Sequence, residues 1–250
     1  RSARPMQANR RIFASRRTSV LAMSAIKDMA MRASKLGDVA SLTWGLPSFS
    51  TPAHIREAVC RALAEDDDVG KYTLPDGLPE LRAAVAAAHL ESTGVEVSPE
   101  RNVLVTAGNM EGVRILLDTV LDPGDEVIVT DPGFVSHIQQ IRLSGGEPVY
   151  WPLEEAQGWS VNVDGLEPLI TSKTRVILLV TPSNPTGTVF HKSDLLRVAE
   201  IARRRDVLVV LDDPYSRFLF GNRDRYFNLA SAREYTDHVA YLFTFSKCHA

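Results

Sequence analysis

Apolar and polar positions follow two rhythms along this chain. Ile55, Val59 and Leu63 recur every fourth residue after Pro52 and predict an amphipathic helix over His54–Asp66. The alanine-rich stretch Pro79–Ser92 predicts a second helix, closed by Gly94. Short runs rich in β-branched residues then predict strands at Val103–Thr106, Glu126–Thr130, Pro148–Trp151, Arg175–Thr181, Val207–Leu211 and Val239–Phe243. Several are apolar at consecutive positions, the pattern of strands covered on both faces in a parallel sheet. Helical spacing fills the intervals at Met110–Leu121, Ser136–Leu143 and Ser193–Arg204. Such alternation predicts an α/β fold, a mainly parallel, doubly wound sheet between two layers of helices.

Composition narrows the class of protein. The 250 residues are 44% hydrophobic and 24% charged, which excludes a disordered or fibrous chain. A net charge of −3 argues against a nucleic-acid partner, and no apolar run reaches the ~20 residues of a membrane span. Cys60 and Cys248 are too few for a disulfide framework and fit a reducing, cytoplasmic compartment. The charge is uneven: six arginines and Lys27 face no acid over residues 1–27, leaving −10 on the remainder. That start reads as a solvated arm packed on a neighbouring subunit, with Ile12, Phe13, Val20, Leu21 and Met23 as an apolar anchor; the alternative is a mitochondrial presequence. The division expected is an arm and the start of a small domain over 1–50, followed by a large domain over 51–250.

In doubly wound sheets ligands bind beyond the carboxyl ends of the strands. The residues following the predicted strands are Thr106-Ala107-Gly108-Asn109, Asp131-Pro132-Gly133-Phe134, Pro182-Ser183-Asn184-Pro185, Asp212-Asp213-Pro214-Tyr215 and Thr244-Phe245-Ser246-Lys247. A pyridine aldehyde phosphate would use all five. Its phosphate needs the free amides of a helix start, which Gly108, Asn109 and Met110 offer. Its ring needs an aromatic face, Phe134, and its pyridine nitrogen needs a carboxylate, Asp212, to stay protonated as an electron sink. Its phenolic oxygen needs donors, Tyr215 and Asn184, and its aldehyde needs an amine, Lys247, desolvated after an apolar strand.

These residues carry a resemblance to the class I/II aminotransferases, the pyridoxal-phosphate enzymes of fold type I. It runs from about Thr43 to the last residue through Gly45-Leu46-Pro47 with Thr51-Pro52, Lys71-Tyr72 with Gly77-Leu78-Pro79-Glu80-Leu81-Arg82, Thr106 to Asn109, Asn184-Pro185-Thr186-Gly187, Asp212-Asp213-Pro214-Tyr215 and Ser246-Lys247. The resemblance implies that Lys247 forms the Schiff base and shuttles the substrate's α-proton, and that Asp212 pairs with the pyridine nitrogen. It assigns Tyr215 and Asn184 to the phenolic oxygen and Phe134 to the ring. Asn109, Met110 and Thr244 go to the phosphate. By the same resemblance Tyr72 would reach the phosphate of a neighbouring subunit's cofactor, which implies a homodimer with shared sites. The resemblance also assigns Gly45, through its backbone, and Asn184 to substrate binding, with Gly45 at the substrate carboxylate. The implied reaction moves an amino group from an L-amino acid to a 2-oxo acid. The family continues into a further strand and a small C-terminal domain, which supply one arginine for the phosphate and another for the substrate carboxylate; neither is assigned within these residues.

Two alternatives share the motifs. One is a β-eliminating carbon–sulfur lyase or related enzyme of the same fold. The other is an aminotransferase-like ligand sensor of a transcription regulator, for which the basic start is the only supporting feature. Asp213 reads as a solvated loop acid, Cys248 as a small buried residue, and Trp44 as a substrate or packing contact. The six histidines have no metal-ligand spacing, so no metal is expected.

Overall fold

The computed structural model describes residues 15, 17–18, 21, 25–40, 42, 45, 47–221 and 226–249. Ile12, Phe13, Val20, Met23 and Trp44 therefore lie outside the described residues. In chain order the elements are helices α1 (Ala25–Ala33), α2 (Ala53–Glu65), α3 (Pro79–Thr93), α4 (Pro99–Asn102) and α5 (Asn109–Val120), then strand β1 (Glu126–Asp131). Helix α6 (Val135–Leu143), strands β2 (Glu147–Glu154), β3 (Ser160–Val161) and β4 (Thr174–Val180), helix α7 (Lys192–Arg205) and strands β5 (Leu208–Asp213) and β6 (Val239–Phe243) follow. Among the described residues no helix is long and apolar enough to cross a membrane.

The strands form one sheet in the order β3-β2-β1-β4-β5-β6. All neighbours run parallel except β3, a two-residue antiparallel strand on β2 that the sequence pattern does not predict. Successive strand residues serve opposite faces, as a pleat of period two requires. Ile177, Leu179, Val209 and Leu211 pack beneath Leu195, Val198 and Ala202 of α7. Val176, Leu178 and Val210 pack against Val113 and Leu117 of α5 and Ile141 of α6. Both faces are covered, which is why β4 and β5 are apolar at consecutive positions. Each such side chain contributes roughly 1.5–3 kcal/mol by leaving water.

One expectation fails. Val103–Thr106 forms no strand. A cavity of about 700 Å³, lined by Val103, Leu104 and Thr106 on one side and Val239, Tyr241 and Phe243 on the other, separates it from β6. A ladder needs a neighbour ~4.8 Å away, and among the described residues no strand pairs with this segment. The Val105 N–H instead donates to the carbonyl of Asp76 at 3.1 Å, fastening this segment to the turn before α3. The stripe Ile55, Val59, Leu63 is helical but uncovered: no residue of α2 is buried, and Leu63 is 65% exposed.

The turn before α3 requires its glycine. Gly77 has φ +105°, and a Cβ there would lie 2.7 Å from the Cβ of Val105. Gly77→Ala is expected to cost about 1–3 kcal/mol from backbone conformation alone, with overlap added. Denaturant unfolding of Gly77→Ala and of Gly77→Ala/Val105→Ala checks this; the second substitution removes only the overlap with Val105 Cγ2, so the backbone part and the contact with the remaining Cβ are expected to persist.

Candidate active site

Because β1, β4, β5 and β6 are parallel, their carboxyl ends share one edge of the sheet, and register sets Asp212 beside Val180 and Leu242. Asp212 is 5% exposed there. Asn109, the first residue of α5, donates through Nδ2 to its Oδ1 at 2.6 Å. His137, in the first turn of α6, places Nε2 3.0 Å from Oδ2, within ion-pair range though not aligned as a hydrogen bond. Phe134 caps the start of α6 and meets His137 edge-on, with ring centroids 5.1 Å apart. An acid, an amide, an imidazole and an aromatic ring are thus assembled from three elements. His137 was not singled out among the six histidines. Its place three residues after Phe134 on one helix face was the available signal.

A second group lies beside the first. Asn184 Nδ2 and the Tyr215 hydroxyl are 3.3 Å apart. Burial pushes the Tyr215 phenol up from its ordinary value; the bond with Asn184 opposes this, and the negative charge of Asp212 adds to it. The phenol therefore keeps its proton at neutral pH and remains a donor.

Lys247 belongs to a third group. Its Nζ donates to the carbonyl oxygen of Gly45 at 3.0 Å, joining the expected imine-forming amine to the expected substrate loop. Just before it, Thr244 Oγ1 lies 3.1 Å from Ser246 Oγ and accepts from the Ser246 N–H at 3.2 Å. Cys248 is half-buried. The helix start expected to hold a phosphate is formed: Gly108 caps α5 with φ 75° and open space where a Cβ would stand. The amides of Asn109 and Met110 have no carbonyl one turn earlier in the helix to bond. Met110 gives its own carbonyl to Gln140 Nε2 of α6 at 2.8 Å, which fixes the orientation of that start. Glu111 folds back onto the Ala107 N–H and is the one acid at this helix start. Tyr72 is fully exposed and stands apart from these groups.

Asp213 corrects the reading of a solvated acid. It is 3% exposed: Oδ1 accepts from the Ser216 N–H at 2.9 Å, and Oδ2 accepts from the phenols of Tyr241, at 2.9 Å, and Tyr226. Burial, then the charge of Asp213, pushes both phenols far up.

Residues 37–250 match the model of the family "Aminotransferase class I and II". The chain belongs to this family. It is 36% identical over 231 residues to an aspartate aminotransferase of Pyrococcus horikoshii, covering 92% of this chain and 58% of that one. It is 35% identical over 212 residues to an aspartate/prephenate aminotransferase of Thermus thermophilus, covering 85% and 54%. The fold matches a solved Thermus thermophilus aspartate aminotransferase with maleate at TM-score 0.88 and 33% identity, over 95% of this chain and 61% of that one. The α/β fold of this aminotransferase-family chain is accordingly fold type I. The chain spans a little over half the length of these relatives.

The contact of His137 with Asp212 gives a direct test. His137→Phe keeps the ring and takes the imidazole away from the buried carboxylate, at an expected cost of about 1–3 kcal/mol if that polar contact supports the acid. Urea unfolding of the cofactor-free protein measures it; unchanged stability would show that the imidazole does not support the acid.

Proposed function

We propose that this chain carries the pyridoxal 5'-phosphate site of an aminotransferase that moves an amino group from an L-amino acid to a 2-oxo acid through Lys247. The observation that carries the reading is the buried carboxylate of Asp212, bonded by Asn109 beside His137, on the same sheet edge as the Asn184–Tyr215 pair and the loop of Lys247. A buried acid whose near neighbours are two neutral side chains and a histidine is suited to bind a protonated pyridine nitrogen. The open glycine start of α5 suits a phosphate. These residues fit the cofactor.

When bound, pyridoxal phosphate supplies the electron sink that makes the substrate's α-proton acidic. Asp212 holds the proton on the ring nitrogen, and His137 and Asn109 hold Asp212. Tyr215, kept protonated by burial, donates to the ring's phenolic oxygen together with Asn184. Lys247 Nζ would hold the cofactor through its aldehyde and would serve as the base that moves the substrate's α-proton. Gly45 positions the substrate carboxylate through its backbone. Phe134 covers the ring, and the amides of Asn109 and Met110 with the Thr244 hydroxyl hold the phosphate.

The same reading takes residues 1–50 as arm and small-domain start and 51–250 as the cofactor-binding large domain. It makes the protein a homodimer with shared sites, in which exposed Tyr72 reaches a neighbour's phosphate. It also places the protein in the cytoplasm, where Cys60 and Cys248 stay unpaired. The names of the relatives make L-aspartate the first substrate to try.

The test is a half-reaction. The full chain loaded with pyridoxal phosphate is expected to show a visible band that L-aspartate or another L-amino acid discharges, with release of the matching 2-oxo acid. Lys247→Ala is expected to lose the band and at least about a thousandfold in rate. A wild-type protein that stays colourless with the cofactor would overturn the proposal. Release of ammonia and pyruvate from a β-substituted amino acid without an acceptor would replace it with the lyase.

A further inference from the structure

We infer that Asp213 is a positioning residue, which fixes Tyr215 relative to the strand that delivers Lys247. It rests on the cofactor reading above. Asp213 ends β5, directly after Asp212, and its register partner is Phe243, the last residue of β6. Its carboxylate points into neither solvent nor the Asp212 group but joins three pieces of chain. Oδ1 accepts from the Ser216 N–H, the residue after Tyr215. Oδ2 accepts from Tyr241 on β6 and from Tyr226 on the following loop. One buried acid therefore ties the Pro214-Tyr215-Ser216 turn to both β6 and the return loop.

The chemistry of the clamp favours rigidity. A carboxylate with one N–H and two phenols on it has its principal acceptor positions filled, and hydrogen bonds to an ionised acceptor are about twice as strong as neutral ones. Both phenols keep their protons, since burial and the adjacent charge push them up, so each can only donate to the acid. Tyr241 is in turn braced by aromatic neighbours, His89 and Phe243, with centroids 5.9 Å away in each case. The carboxylate of Asp213 is bonded to Ser216, Tyr226 and Tyr241, and what it sets is the place of the Tyr215 phenol at the end of β5 against the Thr244–Lys247 loop at the end of β6.

Wild-type full chain, Asp213→Asn, Tyr226→Phe and Tyr226→Phe/Tyr241→Phe are stripped of cofactor and titrated with pyridoxal phosphate. The readouts are the dissociation constant, the pH midpoint of the visible band and the melting temperature of the cofactor-free form. Loosening Tyr215 removes a donor from the ring oxygen, so the midpoint is expected to rise by about half a unit or more. The dissociation constant is expected to rise about tenfold in Asp213→Asn and in the double variant, and about threefold in Tyr226→Phe. If Asp213→Asn does not fold, the two tyrosine variants decide. Constants within about twofold of wild type and an unmoved midpoint would overturn the assignment, even if melting temperatures fall, because a purely structural acid lowers only those. A wild type that binds no cofactor overturns the aminotransferase reading and this assignment with it. A wild type that binds normally beside unaffected variants overturns the assignment alone.

Discussion

A carboxylate buried at the carboxyl end of a parallel strand costs free energy unless neighbours supply hydrogen bonds or charge. In this molecule that carboxylate is Asp212, and the arrangement around it follows from the demand. Asn109 meets one oxygen because α5 is capped by Gly108, whose φ of 75° turns the chain onto the sheet edge. His137 meets the other because α6 begins immediately after the loop that follows β1. Two helices that cover the same face of the sheet, through Val113, Leu117 and Ile141, thereby also present their first turns to one acid. The core and the site are built by the same packing.

The neighbouring acid shows how differently one residue type is used one position further along. Asp212 is held from the side of α5 and α6, whereas Asp213 is held by the turn after β5, by β6 and by the loop leading to it. Successive strand residues face opposite ways, so a consecutive pair of acids reaches two separate networks. One network surrounds the group suited to the pyridine nitrogen. The other governs the turn that bears Tyr215.

Much of the fold was legible in the chain's pattern, because both faces of the sheet are covered and consecutive apolar residues therefore mark β4 and β5 directly. Val103–Thr106 carries the same local pattern without being a strand; pairing needs a neighbour at ladder distance, which a local run of valines does not report. The helix α2 was read correctly from its stripe, but periodicity states only that one side is apolar, not that anything packs on it. For the site, Asn109, Phe134, Asn184, Asp212, Tyr215 and Lys247 were legible because each follows a strand or opens a helix at the sheet edge. His137 and the burial of Asp213 were not: His137 meets an acid on a different element, and the two phenols on Asp213 come from Tyr226 and Tyr241, 13 and 28 residues along the chain. The side chain of Asn109 was assigned only through its backbone, and its bond to Asp212 is a product of tertiary structure.

The central claim is that the amine of Lys247 carries pyridoxal phosphate. Reduction with borohydride converts an imine between the cofactor and a lysine into a stable secondary amine, after which digestion and mass spectrometry locate it. A single phosphopyridoxyl group on Lys247 is expected in the full chain loaded with cofactor. Its appearance on another lysine, or on none, would rule out Lys247 as the carrier.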